Sequence, residues 1–386
     1  MCMPAKLTHA RTFCKAAYGR HSIDKRASSP SPRKERAGTT LREAHVPNWA
    51  TNSWRAWEAI GTGRGASQLT WLRLACLSFL FFTPNLVRAD WQRDDTSIAW
   101  LSGTNVVWRF SFDPAKGKPF FHPVSVAGGP ALTNFKPEDH PWHYGLWFSW
   151  KYIYPLHSTN HINYWEEDRA TGRAQGSTRW DPPVIQTTPD GGATIHLDLK
   201  YVSPSNQVDL TEHREITVSA PAADGSYTIR WKAHFVAGPE PIVLDRTPMP
   251  GEPDGQTNGG YAGLAFRMAG LPLNVSMLSI AGPVTNFISD RARPKADAVA
   301  FNFTDADKPV GSLAILSSRQ NLGRNPPWYM VNDVARTFRF ACAAILAPRP
   351  AAIRAGGSRN LEYCIIVQPA PWTVESLKAA QSSSFP

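Results

Sequence analysis

From Thr194 to Tyr201 apolar and polar residues alternate without a break. Ile195, Leu197, Leu199 and Tyr201 fall on one side, His196, Asp198 and Lys200 on the other. The run 226–235 repeats the pattern, with Tyr227, Ile229, Trp231, Ala233 and Phe235 set against Thr228, Arg230, Lys232 and His234. A period of two belongs to a strand buried on one face, because a helix would scatter the same apolar residues around its whole circumference. Further strands are predicted near 105–112, 209–219, 262–268, 310–316, 336–346 and 361–368, with Pro, Gly, Asn and Asp gathered between them. Only 374–381 reads as a helix. The expectation is an all-β fold, a single large antiparallel β-sandwich over residues 90–386.

Residues 69–89 read as an export signal. Leu72 to Phe82 forms an apolar core, and Val87-Arg88-Ala89 supplies small residues ahead of a cut before Asp90. The run falls short of the about 20 apolar residues that span a bilayer. A periplasmic or secreted protein is expected, with no stable membrane insertion. Residues 1–68 are basic and lack periodicity, and read as a disordered tail or an extension upstream of a true start near Leu69. They hold 12 Lys or Arg against four acids, and with Arg73 and Arg88 account for the whole formal charge of +10. The sandwich is therefore neutral by the same count, which gives no footing for a nucleic-acid partner. Beyond residue 89 the cysteines are Cys342 and Cys364, for which a disulfide and two buried thiols both remain open.

The chemistry concentrates between Asp139 and Glu167. The runs Asp139-His-Pro-Trp-His-Tyr-Gly-Leu-Trp-Phe-Ser-Trp150 and Asn163-Tyr-Trp-Glu-Glu167 hold His140, His143, His157 and His161 with Trp142, Trp147, Trp150 and Trp165. His140 and His143 flank Pro141 in a turn entering a strand, where two imidazoles can converge. Glu166 and Glu167 are expected on a short strand, pointing to opposite faces, so that one enters the site. Two histidines and a carboxylate suit acid–base chemistry or a divalent metal at His140/His143, and spacing alone leaves both open, together with a purely structural network. No other cofactor is indicated. Indoles beside amide and carboxylate groups favour a sugar, whose C–H faces pack on aromatic planes while its hydroxyls need polar partners. Trp142, Trp147, Trp165 and Asn163 are the candidates here, although large aromatics also simply build cores.

Alternation then sorts the faces. Tyr144, Leu146, Phe148 and Trp150 are assigned to the core, and His143, Gly145, Trp147 and Ser149 to the opposite side, where Gly145 leaves room for a ligand or marks a bulge. In 261–268, Ala262, Leu264, Phe266 and Met268 are core, leaving Tyr261, Gly263 and Arg267 to face a polar ligand or solvent. Leu210, Glu212, Arg214, Ile216 and Val218 share a face, so Glu212 and Arg214 must pair or line a cavity. The stretches 239–260 and 321–328 read as long rim loops.

At these residues the chain resembles the secreted bacterial DUF6807 family, often labelled "methane oxygenase PmoA". The likeness rests on the two runs quoted above and, more weakly, on Tyr261-Ala-Gly-Leu264 and Pro327-Trp-Tyr329. It implies an exported β-sandwich of the galactose mutarotase-like supersandwich kind, and so carbohydrate chemistry by fold analogy. Family members often carry a His-Pro segment shortly before Pro-Trp. Here Ser318 to Asn325 has no histidine, so Arg319 or Asn321 is expected in its place, with Trp328 beside it. A membrane methane monooxygenase subunit needs apolar spans of about 18 residues or more, and nothing after Asp90 supplies one. The leading expectation is an exported protein that binds a sugar or glycan and works on it with His140, His143 and Glu166 or Glu167. A non-catalytic glycan-binding module and a metal-dependent oxidoreductase stand beside it.

Overall fold

The computed structural model describes residues 89–322 and 325–386; the expected export signal, apart from Ala89, and the basic segment before it lie outside the described residues, as do Gly323 and Arg324 of the expected rim loop. Two large antiparallel sheets dominate. One has nine strands, ordered Ala89–Arg93, Ser97–Ser102, Asn105–Ser111, Phe120–Val124, Leu146–Ser149, Gly263–Arg267, Phe338–Ala343, Trp328–Asp333 and Arg291–Ala292. The other has ten, with Lys308–Ser317, Ser358–Gln368, Tyr227–Ala237, Val208–Val218 and Ala193–Val202 side by side at its centre. A small third sheet joins Ala351–Ile353, Ile242–Asp245, Tyr152–Pro155 and Ile162–Asn163. The strand Ile242–Asp245 corrects the expectation of an unbroken loop over 239–260.

The two large sheets pack face to face through the alternating residues the sequence marks. Phe148 meets Phe235 with ring centroids 5.4 Å apart, Phe266 meets Phe301 at 5.3 Å, and Phe121 reaches Trp231 at 6.3 Å. Burying such rings is the main drive for the fold. The expected all-β antiparallel sandwich is what forms. Within this dry layer Glu212 and Arg214 pair as a fork, Nε to Oε1 at 2.5 Å and Nη2 to Oε2 at 2.8 Å. Tyr201 donates to Glu212 Oε2 at 2.6 Å, and the guanidinium lies 4.7 Å over the Trp231 ring. The structural ion pair is thus the correct reading of that segment.

The outer faces of the two sheets differ. On the ten-stranded sheet the alternate residues His196, Asp198, His213, Glu215 and Lys232 face solvent. On the nine-stranded sheet the outer face is aromatic and covered: Tyr144, Trp147, Trp165, Tyr261, Tyr329 and Phe340 form a second apolar cluster. Tyr144 belongs here and not to the inter-sheet core, which corrects the parity assignment. The cause is Gly145, whose φ of +73° interrupts the alternation, so the strand proper begins at Leu146. A side chain on Gly145 would put its Cβ 2.4 Å from the Phe121 carbonyl oxygen. Its role is the bulge, and the space it leaves is filled by protein. Gly145→Ala is expected to cost about 1–3 kcal/mol in backbone strain alone. Thermal unfolding checks this, and an unchanged Tm would refute it.

The C-terminal helix Val374–Ser384 runs three residues past the expected end. Thr373 and Ser376 close its first turn as a capping box. Cys342 and Cys364 are free and buried in different sheets and different apolar clusters, so the two-thiol alternative holds. Among the described residues no helix is long and apolar enough to cross a membrane.

Candidate functional site

Two tight turns build the site. His140 N–H bonds the Pro137 carbonyl and His143 N–H bonds the His140 carbonyl, each at 3.0 Å. This folds the two imidazoles into a stack, 4.6 Å apart and 21° from parallel. Phe338 and Phe340, two residues apart on one strand face, extend it: His140 stacks on Phe338 at 4.5 Å and His143 on Phe340 at 4.8 Å. Asp139 orients the outer ring, its Oδ2 lying 2.8 Å from His140 Nδ1. Arg267 Nη2 donates to both Asp139 oxygens at 2.9 Å. Arg169 clamps the turn from outside, donating to the carbonyls of Glu138 and Asp139 and packing its guanidinium over Trp142.

A second carboxylate arrives from the loop after Ile162–Asn163. The Asn163 side chain caps this loop, accepting from the Trp165 and Glu166 amides and donating to Glu166 Oε2 at 3.0 Å. Glu166 also takes Lys151 Nζ at 2.6 Å and the Tyr261 hydroxyl at 2.5 Å. Together these groups open on one hollow of about 260 Å³, with Asp139, His140, His143 and Glu166 in a wall otherwise made largely of Trp142, Trp165, Tyr261, Tyr329, Phe338 and Phe340. That is slightly below the usual range of ligand pockets, about 300–1,000 Å³.

Half of the expected residues line this hollow. Trp142, Trp165 and Tyr261 line the hollow with both histidines and Glu166. Arg267 stands one layer behind, almost fully buried, and acts on the hollow through Asp139. Trp147 is sealed beneath His143 and Trp165, so it supports the floor and offers no stacking plane. Trp328 is buried in the inter-sheet core, its indole N–H on the Ala296 carbonyl. Asn321 ties Ser317 to the backbone of residue 362, and Arg319 pairs with Asp297, so neither takes the place of a missing histidine at the hollow. His161 stacks on Tyr154 at 4.1 Å, and neither it nor His157 lines the hollow. The loop at Glu166 and Glu167 is not a strand, yet the two side chains do diverge. Glu167 turns away to Lys118 at 2.9 Å, Lys136 at 3.6 Å and the Tyr144 hydroxyl at 2.5 Å, beside a separate hollow.

The carboxylate partner of His140 is therefore Asp139. Sequence reasoning passed over it because an adjacent residue's direction depends on turn geometry. It also missed Arg291, Arg336, Phe338 and Tyr329. Only Tyr329 and Phe338 left a trace, in Pro327-Trp-Tyr329 and in the alternation of 336–346.

Burial lowers the His140 imidazole below its usual value, against the opposing pull of Asp139. His143, almost fully buried, is held far lower, with the charges of His140, Arg267 and Lys118 adding to the effect. Burial raises the carboxyls of Asp139 and Glu166, but hydrogen bonds and cations outweigh it: His140 and Arg267 for Asp139, Lys151, Tyr261 and Asn163 for Glu166. Both carboxylates are ionised near neutrality. A neutral His140 beside an ionised Asp139 keeps its proton on Nδ1, which leaves the Nε2 lone pair as a base.

One pH effect follows from the neighbouring His122, whose ring lies 2.8 Å from Thr133 Oγ1. Burial, with Arg109 assisting, pushes it down from 6.5 to about 4. The unfolded chain then takes up a proton first as pH falls. The His122 contribution is intact above 6.5 and is lost progressively toward about 4. His143 acts in the same direction, and Asp139 and Glu166 add losses at still lower pH. The Tm should fall across that interval and fall less in His122→Gln; a flat Tm from 6.5 to 4 would contradict the assignment.

The divalent-metal alternative left open for His140 and His143 does not fit this geometry. Stacked imidazoles hold their nitrogens in parallel planes and not toward one point, and His140 Nδ1 is engaged by Asp139. Among the described residues no group of three or more His, Cys, Asp or Glu is placed to hold a metal ion.

Residues 97–381 match DUF6807, a family of unknown function. No curated protein matches the sequence. Among solved structures the chain is similar to the alpha-galactosidase from Lactobacillus brevis, with 10% identity over 77% of this chain and 41% of that one and a TM-score of 0.40. It is similar to the Slr1438 protein from Synechocystis, with 10% identity over 75% of this chain and 98% of that one and a TM-score of 0.37. The GH36 alpha-galactosidase AgaB from Geobacillus stearothermophilus gives 10% identity, 73% and 41% coverage and a TM-score of 0.38. The chain spans about two fifths of the two galactosidases, and their active sites carry nothing over to this hollow.

Proposed function

The chain belongs to DUF6807, a family of unknown function, and we propose that it is an exported protein that binds a carbohydrate in this hollow and moves a proton on it. One observation carries the reading. An Asp139-oriented His140 and an ionised Glu166 share a small cavity walled by aromatic rings. Rings pack on the C–H faces of a sugar, Glu166 accepts from its hydroxyls, and His140 Nε2 takes the proton.

The charge states narrow the chemistry. Glycoside hydrolysis by paired carboxyls needs one of them protonated as the acid. Asp139 and Glu166 are both held ionised, so proton abstraction by neutral His140, as in elimination or epimerisation, fits better than hydrolysis. Tyr329 is the available donor: its hydroxyl oxygen accepts from Arg291, and its own proton has no acceptor among the described residues.

The test is incubation with a panel of oligosaccharides in heavy water, with products and deuterium incorporation read by mass spectrometry. The reading predicts saturable binding with a new product or exchange at carbon. Saturable binding with neither would make this a non-catalytic sugar-binding module. Export belongs to the same proposal, supported by residues 69–89 alone, and amino-terminal sequencing of the exported protein tests it.

A further inference from the structure

Each carboxylate of the hollow already has its cation, Arg267 for Asp139 and Lys151 for Glu166. Two more cations line the same cavity, Arg291 and Arg336. Arg291 gives its Nε–H to the Tyr329 hydroxyl at 3.1 Å and an Nη1–H to the Ser289 carbonyl at 2.6 Å. Among the described residues no carboxylate pairs with it. Arg336 has one loose contact, 3.5 Å from Asp333, and its side chain is 80% exposed. Arg293 adds a third positive group, packed 4.8 Å over the Tyr329 ring and bonded, among the described residues, to the carbonyls of Thr257 and Gly259 alone. Two guanidiniums, Arg291 and Arg293, therefore meet at the Tyr329 phenol and a third, Arg336, lines the same hollow, and among the described residues the one carboxylate paired with any of them is Asp333, loosely against Arg336. Such an arrangement repels itself until an anion arrives, and it attracts anions to the cavity mouth.

We propose that the sugar bound here carries a carboxylate, as in a uronate residue of an acidic glycan, and that Arg291 and Arg336 hold it. The inference rests on the sugar reading above and goes beyond it by naming the substituent. A planar guanidinium presents parallel N–H donors that match the two oxygens of a carboxylate. Arg291 supplies the fixed donor, tethered by Tyr329 and Ser289, and Arg336 the adaptable one at the rim.

Calorimetry on the intact protein tests it. The probes are galacturonate, glucuronate and mannuronate oligosaccharides, each paired with the same oligomer after reduction of its carboxyls to neutral alcohols, and a sulfated oligomer of the same length. At least one acidic oligomer is expected to bind about ten- to a hundredfold tighter than its neutral counterpart, with the gap narrowing at high salt. Arg336→Gln and Arg291→Gln should each narrow the gap, and the exposed position of Arg336 leaves the fold intact in that variant. Equal affinity within every pair overturns the carboxylate and leaves the sugar reading standing. No binding of any oligomer, acidic or neutral, overturns both. A sulfated oligomer held more tightly than every uronate overturns the carboxylate in favour of sulfate.

Discussion

Replacing His140 with alanine should slow turnover of the bound sugar by about 10²–10⁴-fold, the range a positioned general base supplies. Binding should change far less, because the walls that grip the ligand are Trp142, Trp165, Tyr261 and Glu166. Asp139→Asn should also cost rate, by a route the pH profile separates. Asp139 fixes the proton on Nδ1, and the asparagine amide no longer favours that tautomer over its alternative. In the wild type the rate should rise with pH on an acid limb and then level. The limb's midpoint lies below 6.5, since burial lowers the His140 imidazole despite Asp139. An intact rate in His140→Ala would remove His140 from the chemistry.

Glu212→Leu should destabilise the fold by about 3–5 kcal/mol, the cost of leaving one member of a buried pair alone. Arg214 would then sit nearly sealed between the sheets with its charge uncompensated, and its Nη1 already has no partner. The double replacement Glu212→Leu with Arg214→Met should recover most of the loss, since apolar residues of similar volume suit the same layer. Chemical denaturation of the three proteins measures this. A single variant as stable as the wild type would mean that the pair reaches water.

Alternation made most of the sandwich legible, because residues such as Ile195, Trp231 and Phe266 can bury only one way. It failed where a glycine reset the period: Gly145 moved Tyr144 from one face of its sheet to the other. The His and Trp density around residues 139–167 located the hollow, since His140, His143, Trp142, Trp165 and Glu166 all reach it. It could not tell a stacking indole from a core one, and Trp147 and Trp328 proved to be packing. Arg291 and Arg336 were out of reach for a different reason. Each gains its position from a short strand or turn at the edge of the nine-stranded sheet, and local sequence does not encode which edge meets which loop.

If one hollow on the outer face of the nine-stranded sheet receives the sugar, the imidazoles in its wall must sense it. Titrating the protein with oligosaccharide while following the imidazole resonances of His140, His143 and the remote His213 by NMR tests this most directly. Saturable shifts are expected at His140 and His143 and none at His213, with loss of the response when Glu166 is replaced by alanine. Saturable binding that leaves His140 and His143 unmoved would place the ligand elsewhere and contradict that expectation.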